Sequence, residues 1–217
     1  MMEKIPEASR RRLTLLCSLL SSYKDERITS IQIQRMTGID RALVRKDISL
    51  TGFKGGVSNG YKAAELLEAL RAELKLPLPG QKRFCCIAGL GKLGAALMQC
   101  GIFDESPFKI VAGFDSRVNR TEVLSADFPL YPAAKMESVI PEAGIEFAIL
   151  AVENDQARLM ADRLVKSGVK GIVNFTGEVL ETPESVAVEN VSPLLALNNI
   201  CARVSGNAVE RKPTNVG

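Results

Sequence analysis

The stretch Lys82-Arg-Phe-Cys-Cys-Ile-Ala-Gly-Leu-Gly-Lys-Leu-Gly94 joins an apolar segment to a glycine-rich turn. Residues 82–88 have the pattern of a buried strand, and Gly89, Gly91 and Gly94 follow with G-x-G-x-x-G spacing before a predicted helix. This order is typical of a dinucleotide-binding unit. The first glycine permits a tight turn, the second lets the backbone approach a pyrophosphate, and the third lets helix and strand pack closely. The N–H groups at the helix start are expected to bind the anion.

A second strand pattern, Phe108–Phe114, ends at Asp115, which lies 21 residues beyond Gly94. A carboxylate about 20 residues beyond the glycines typically binds the ribose hydroxyls of the adenosine. Its charge repels a 2′-phosphate, which favours NAD over NADP, whereas Arg117 and Arg120 leave NADP open as an alternative. We therefore predict an NAD(H) site.

Strand and helix patterns alternate through the rest of the chain, which predicts a doubly wound, mostly parallel sheet of the Rossmann type. The predicted strands are 147–152, 171–175 and 186–191, with helices over 155–166 and from about Pro193. Ligands of such sheets bind at the carboxyl ends of the strands. Asn174, at one such end, could equally hydrogen-bond the cofactor or stabilise a turn. The residues predicted to bind the cofactor are Gly89, Leu90, Gly91, Lys92, Leu93, Gly94, Asp115, Ser116, Val152, Glu153, Asn174 and Phe175.

The N-terminal third of the chain has the pattern of a small helical domain. Apolar residues at helical spacing predict a helix after Pro6 and a second one from Thr29 or Ser30 to Gly38. A third is predicted over 41–50, where Asp40 is the N-cap. Two helices joined by a tight turn are what a helix-turn-helix requires.

The third predicted helix carries Arg41, Arg45 and Ser49 on one face, as expected of a recognition helix that enters the major groove. Four glycines between positions 52 and 60 then predict a hairpin, the wing of a winged helix. A further amphipathic helix over 62–74 is predicted to close this domain.

Charge and composition support two units with different partners. The 217 residues carry a net charge of +3, of which residues 1–80 contribute +5 and the remainder −2. No histidine is present, which excludes His-based nucleophile pairs, His general bases and His-ligated metals. Five cysteines without a C-x-x-C pair fit a reducing compartment. No apolar run spans a bilayer and the first residues lack a signal-peptide core, so we expect a cytoplasmic protein.

The sequence offers little that could perform catalysis. Tyr131-Pro-Ala-Ala-Lys135 has the Y-x-x-x-K form of short-chain dehydrogenases, but Pro132 places the tyrosine at a helix start rather than inside a long helix. Cys85 and Cys86 are expected in the core, and Cys17, Cys100 and Cys201 are also expected to pack rather than react. A nucleotide site without an acid, base or nucleophile indicates a cofactor that is sensed, not consumed. We expect no enzymatic activity.

The chain resembles the redox-sensing transcriptional repressor Rex family over nearly its whole length. The resemblance rests on these segments: Arg11-Arg-Leu13, Val44-Arg-Lys-Asp-Ile-Ser49, Gly52-x-x-Gly55 with Gly60-Tyr61, Gly89 to Gly94, Phe114-Asp115, Gly168-Val-Lys-Gly-Ile-Val-Asn-Phe175 and Val188-Glu-Asn-Val191. It implies a homodimer with winged-helix domains (1–78), NAD(H)-binding Rossmann domains (79–217) and an exchanged C-terminal helix. In that family NADH releases the repressor from its operator. The expected DNA-binding residues are Arg11, Arg12, Ser30, Arg41, Arg45, Lys46, Ser49, Lys54 and Tyr61.

Three positions depart from the family pattern. Gly56-Val57 stands where the wing usually has Lys-Arg, Cys100 where many members have tyrosine, and Ser192 where they have aspartate. The resemblance pairs that aspartate with an arginine, so Arg12 is expected to lack its partner here. The alternative is therefore a Rex-like protein that binds NAD or coenzyme A but has weakened or lost DNA binding or redox switching.

Overall fold

The structure is a computed structural model that describes residues 5–55, 59–117, 119 and 124–209, with backbone only for 206–209. The chain divides into two compact units, one up to Gln81 and one from Lys82 onward. The division falls directly after Pro77-Leu-Pro-Gly80, a segment that cannot continue a helix.

The first unit packs helices around a short two-stranded sheet. The helices are α1 (Glu7–Ser21), α2 (Ser30–Thr37), α3 (Arg41–Leu50) and α4 (Ala63–Leu74), and the strands β1 (Arg27–Ile28) and β2 (Tyr61–Lys62) pair antiparallel. Their core includes Leu13, Ile28, Ile33, Ile48, Leu66 and Leu70, each almost fully buried.

The predicted boundaries of α2 and α3 are confirmed, because local capping decides them. Thr29 and Gln32 form a reciprocal capping box at the start of α2, and Gly38 ends that helix with φ +76°. Asp40 caps α3 by accepting hydrogen bonds from the N–H groups of Ala42 at 2.8 Å and Leu43 at 3.4 Å. These caps fix the turn between α2 and α3.

The predicted wing lies partly outside the described residues. Its tip, residues 56–58 with Gly56 and Val57, is not described, so the structure shows only its flanks. On the far flank β2 pairs with β1, the short strand that precedes α2. Gly60 has φ +85°, and a Cβ there would lie 2.6 Å from the carbonyl oxygen of Ile28. The chain must therefore have glycine where it leaves the hairpin and joins β1.

The second unit is a six-stranded parallel sheet with helices between its strands. Its elements are β3 (Arg83–Ala88), α5 (Lys92–Gln99), β4 (Phe108–Asp115), β5 (Leu130–Pro132), a 3₁₀ turn (Ala133–Lys135), α6 (Met136–Glu142), β6 (Phe147–Leu150), α7 (Asn154–Lys166), β7 (Gly171–Asn174), β8 (Ala187–Asn190) and α8 (Pro193–Val209). The strand order is β5-β4-β3-β6-β7-β8, with every neighbouring pair parallel. The strand order reverses between β3 and β6, the switch point where such sheets bind ligands. The predicted α/β class is confirmed.

Alternate residues of β3 face opposite cores. Cys86 and Ala88 belong to one apolar cluster, while Cys85 and Ile87 belong to the other. Burial raises the pKa of the Cys85 thiol to about 11, which keeps it protonated and unreactive near neutral pH. The prediction that Cys85 and Cys86 are core residues is confirmed.

The prediction for Tyr131 was wrong. Tyr131 lies in strand β5, which pairs with β4, rather than at a helix start. Its ring stacks on that of Phe114, with centroids 5.8 Å apart, and Lys135 ends the 3₁₀ turn. The strand was missed because it is only three residues long and contains Pro132, which is tolerated at a sheet edge.

Helix α8 does not pack against its own unit. Every residue of 193–205 is exposed, including Cys201, and Cys100 at the end of α5 is exposed as well. The expectation that these two cysteines pack inside the chain was therefore wrong, whereas Cys17 is buried as predicted. No helix in the described residues is both long and apolar enough to cross a membrane.

Candidate functional site

The glycine turn between β3 and α5 is closed so tightly that side chains cannot enter it. Gly89 has φ +102°, and a Cβ there would lie 2.5 Å from the carbonyl oxygen of Ala151. A Cβ on Gly94 would lie 1.9 Å from the carbonyl oxygen of Gly89. Both contacts are with backbone, which cannot move aside cheaply. The geometry confirms the reason for glycine at the first and third positions of the motif.

The start of α5 presents backbone donors at this turn. Gly91 occupies the N-cap position with φ −69°, and no side chain within the described residues caps the helix. The N–H groups of a first helical turn have no partner inside the helix. Together with the positive end of the helix dipole, they form a binding position for a phosphate.

Asp115 holds the turn from the end of β4. Its side chain is buried, and it accepts hydrogen bonds from the backbone N–H groups of Leu90 at 2.7 Å and Arg117 at 2.8 Å. The N–H of Gly89 also donates to the carbonyl oxygen of Phe114 at 2.8 Å. The predicted ribose carboxylate is thus brought against the glycine turn. Arg120, the second cation considered for NADP, lies outside the described residues.

Other predicted cofactor residues lie along the same carboxyl edge of the sheet. Lys92 and Leu93 are exposed at the start of α5, and Ser116 is exposed directly after β4. Val152 follows β6, and its Cγ1 lies 2.7 Å from the position of a Cβ on Gly89. Glu153 is the exposed N-cap of α7. These residues surround the switch point.

The side chain of Asn174 is held by hydrogen bonds inside the protein. Its side chain is fully buried, and its Nδ2 donates to the carbonyl oxygen of Glu178 at 2.9 Å and to Asn190 Oδ1 at 2.8 Å. Its Oδ1 accepts hydrogen bonds from the N–H and hydroxyl of Thr176, at 3.0 and 2.7 Å. Both amide protons are therefore engaged inside the protein. Of the two possibilities, the structure supports the turn-stabilising one.

The loop after β7 is tied at a second point that the sequence did not reveal. The N–H of Gly177 donates to Asn154 Oδ1 at 2.9 Å, across 23 residues of sequence. Asparagine at a helix start was the available signal, because it favours capping positions. Here the side chain joins the start of α7 to the loop after β7, where Phe175 is half-buried.

The first unit presents a cationic surface on α3. Arg41, Arg45, Lys46 and Ser49 are exposed, while Val44 and Ile48 are buried in the core. The predicted division of α3 into a basic face and an apolar face is therefore confirmed. The Ser49 hydroxyl donates to the carbonyl oxygen of Lys46 at 2.7 Å.

Residues expected to contact DNA outside α3 differ in exposure. Lys54 is exposed, whereas Ser30, the first residue of α2, is half-buried. Tyr61 is also half-buried, its ring centroid 6.3 Å from that of Phe53. Burial raises the pKa of Tyr61, and the charge of the nearby Arg45 opposes this rise. The Tyr61 hydroxyl therefore stays neutral and can donate a hydrogen bond.

Arg12 does have a partner, in the same unit. Its Nε donates to Asp47 Oδ2 at 2.6 Å and its Nη2 to Asp47 Oδ1 at 2.9 Å. The aspartate that the resemblance pairs with Arg12 is absent because residue 192 is serine, and the partner of Arg12 within the first unit is Asp47. Ser192 instead accepts a hydrogen bond at Oγ from the N–H of Leu195 at 3.2 Å, which caps α8. Arg11, by contrast, is exposed and pairs with Glu7 at 3.3 Å.

Within the described residues, no group of three or more Cys, Asp or Glu side chains could hold a metal ion.

Comparisons with known proteins separate the same two parts. Residues 4–49 match the family described as "Putative DNA-binding protein N-terminus", and residues 81–177 match the family described as "CoA binding domain". A redox-sensing transcriptional repressor Rex from Listeria welshimeri is 33% identical over 192 residues, or 87% of each chain. The Rex of Limosilactobacillus fermentum is 30% identical over 211 residues, or 95% of each chain.

Solved structures of the Rex-family repressor RSP share the architecture of both units. The structure of RSP with β-NAD⁺ and operator DNA is 27% identical with a TM-score of 0.81, and covers 95% of each chain. The structure of RSP with β-NADH is 27% identical with a TM-score of 0.80, and covers 95% of this chain and 97% of that chain.

Proposed function

The chain belongs to the Rex family of redox-sensing transcriptional repressors, and on that premise we propose that it binds operator DNA and leaves it when NADH binds. One observation carries this proposal. A closed glycine turn held by a buried carboxylate and an exposed cationic helix with a buried apolar face occur in one chain. The relative RSP was solved with NADH and with NAD⁺ plus operator DNA, and the glycine turn suits the nucleotide as the cationic helix suits the DNA.

At the cofactor, the residues of this chain provide the binding and no chemistry. The N–H groups at the start of α5 bind the pyrophosphate, and the Asp115 carboxylate accepts hydrogen bonds from the ribose hydroxyls. Val152 and Glu153 lie across the crevice from the turn. We propose no enzymatic role, because the relatives that this chain matches are transcriptional repressors.

At DNA, α3 lies in the major groove. Arg45 and Lys46 face the base edges and phosphates, and Arg41, Ser49, Lys54 and Tyr61 contribute further contacts. Arg11 contacts phosphate from α1. Such a protein acts where the DNA is, in the cytoplasm of a bacterium.

NADH and NAD⁺ differ in the charge of the nicotinamide ring, and this difference drives the switch. The neutral dihydronicotinamide can be buried against apolar surface, whereas the positively charged pyridinium of NAD⁺ loses solvation there. A 100-fold decrease in operator affinity requires NADH to favour the released form by about 2.8 kcal/mol. This is within the usual range of allosteric coupling.

The exposed helix α8 supports a homodimer in which this helix packs on a second copy of the chain. Its exposed apolar residues are Leu194 at 73%, Leu195 at 55%, Leu197 at 56%, Ile200 at 46% and Val204 at 65%. Most of the stability of a protein helix comes from packing of its apolar face, so α8 needs a packing partner. A two-fold dimer also presents two recognition helices to a palindromic operator.

Ile200→Asp should therefore convert the dimer into a monomer at micromolar concentration. Ile200 lies on one stripe of α8 with Leu197 and Val204, and burying a carboxylate there is strongly unfavourable. We expect the dimer dissociation constant to rise at least about 100-fold, measured by sedimentation equilibrium. Lys24→Asp, which changes charge at an exposed position outside α8, should leave the dimer intact. A dimeric Ile200→Asp variant would contradict the role of this helix.

The experiment that tests the proposed function is a titration of the operator complex with NADH. A palindromic duplex is first selected from random DNA by the protein, and binding to it is followed by fluorescence anisotropy at fixed salt. We expect micromolar NADH to release the duplex and the same concentration of NAD⁺ to leave it bound. Release by neither nucleotide would leave a DNA-binding protein without redox sensing.

The match of residues 81–177 to the "CoA binding domain" family supports a second candidate, in which the unit binds NAD or coenzyme A without switching. That candidate predicts weak DNA binding with little dependence on salt, since few phosphate contacts are made. Operator binding that falls steeply as salt rises, and that coenzyme A does not affect, would exclude it.

A further inference from the structure

A carboxylate is buried on the helix that faces DNA in the proposed function. Asp47 lies in α3 directly after the exposed Arg45 and Lys46, and its side chain is only 3% exposed. A negative charge on this helix is repelled by DNA phosphates, and burying a carboxylate is unfavourable unless it is paired. Its presence on α3 therefore requires a reason other than contact with DNA.

Arg12 of α1 neutralises this carboxylate through a two-point contact. Its Nε and Nη2 donate to the two oxygens of Asp47 at 2.6 and 2.9 Å, and Nη2 also donates to Ser9 Oγ at 3.1 Å. The hydrogen bond with Asp47 raises the pKa of Arg12. A planar fork that meets both carboxylate oxygens fixes direction as well as distance.

This contact complements the apolar packing of α3. Val44 and Ile48 bury one side of the helix against the core that contains Leu13 and Leu16 of α1. Apolar contacts are not directional, so they leave the rotation of a short helix about its axis weakly defined. A paired guanidinium and carboxylate from two different helices defines that rotation, and with it the direction of the exposed Arg45.

We infer that Arg12 and Asp47 are positioning residues for operator recognition, which set the rotation of α3 so that Arg45 and Lys46 meet the base edges. The inference rests on the proposed DNA-binding function. Arg12, which the sequence predicted as a DNA contact, then acts through Asp47 and does not touch DNA. The neighbouring Arg11 contacts phosphate.

Asp47→Asn should change operator affinity in opposite directions if Asp47 acts only through its charge and if it positions α3. This change removes a negative charge beside the DNA, so charge alone predicts tighter binding to any duplex. If Asp47 positions α3, affinity for the selected operator instead falls about tenfold or more, while affinity for a shuffled duplex stays the same or rises. Arg12→Lys keeps the positive charge but cannot contact both oxygens of Asp47 at once. The operator preference of this variant should therefore fall to a value between those of Asp47→Asn and the wild type.

Arg11→Gln is the matched control on the adjacent residue. Removing a phosphate contact weakens binding to both duplexes equally and lowers the slope of log affinity against log salt by about 1. Arg12→Gln should instead lower operator preference, measured as the ratio of the two affinities, and leave the slope on the shuffled duplex unchanged.

The experiment is the measurement of both dissociation constants for these variants at several salt concentrations, below the melting temperature of each variant. Loss of operator preference in Asp47→Asn and Arg12→Lys supports the inference. An unchanged preference in both, or a reduced salt slope in Arg12→Gln, overturns it. If Asp47→Asn is unfolded at the assay temperature, Arg12→Lys decides alone. If the wild-type protein itself shows no operator preference, the proposed function fails and the inference fails with it.

Discussion

Arg45→Ala should lose 10- to 100-fold or so in operator affinity while it keeps its affinity for NADH. Arg45 is exposed at the middle of α3, whereas Val44 and Ile48 bury the opposite face of the helix in the core. The packing of α3 therefore does not depend on the Arg45 side chain, and truncation removes contacts to DNA without unfolding the helix. A guanine contact by arginine contributes about 1–3 kcal/mol, which gives the expected range.

The control for Arg45→Ala is Lys24→Gln, which removes one positive charge from the same unit outside α3. Lys24 is exposed between α1 and β1. It should change operator affinity only slightly, through the net charge. Anisotropy gives the DNA affinity and nucleotide fluorescence gives the NADH affinity of each variant. If Arg45→Ala binds the operator as tightly as Lys24→Gln does, α3 is not the recognition helix.

Gly94→Ala should lose at least about 100-fold in NADH affinity, because the backbone of the glycine turn lies too close to position 94 to leave room for a side chain. The added Cβ would lie 1.9 Å from the carbonyl oxygen of Gly89, so either α5 or the turn must move. Such a shift separates the N–H groups at the start of α5 from Asp115, which holds the turn through Leu90. The variant should still bind the operator, since the first unit is unchanged, and should stay bound when NADH is added.

Gly168→Ala separates the effect of the turn from that of lost stability. Gly168 has φ +91° with no atom within 4 Å of the added Cβ, so its substitution introduces backbone strain without a collision. We expect a lower melting temperature, from a strain of about 1 kcal/mol, and unchanged NADH affinity. Isothermal calorimetry of both variants provides the comparison. NADH affinity close to the wild-type value in Gly94→Ala would exclude the glycine turn as the cofactor site.

The parts of the fold that local sequence determines could be predicted. The glycine turn could be predicted because its three glycines lie close together in sequence, directly after a strand that is apolar on both faces. The boundaries of α2 and α3 were evident because Thr29, Gly38 and Asp40 make their capping contacts within a few residues. The position of Asp115 beside the turn could be predicted from its distance in sequence to the glycines.

Contacts between residues distant in sequence could not be predicted. Asp47 pairs with Arg12 from 35 residues away, and no spacing rule connects them. Asn174 was left undecided because its distant partner, Asn190, meets it only when β7 and β8 pair. The exposure of Cys100 was missed for a similar reason, since a helical pattern does not indicate how much of the helix end the rest of the unit covers.

The central claim is that the cofactor site and the DNA-binding helix are coupled, and reciprocity tests it most directly. If NADH weakens operator binding by a given factor, the operator must weaken NADH binding by the same factor. The measurement is the NADH dissociation constant by calorimetry, with the protein free and with the protein saturated by its selected operator. We expect NADH to bind the operator complex more weakly than the free protein, by the factor found in the titration of DNA release. An NADH affinity that is the same with and without the operator would contradict it.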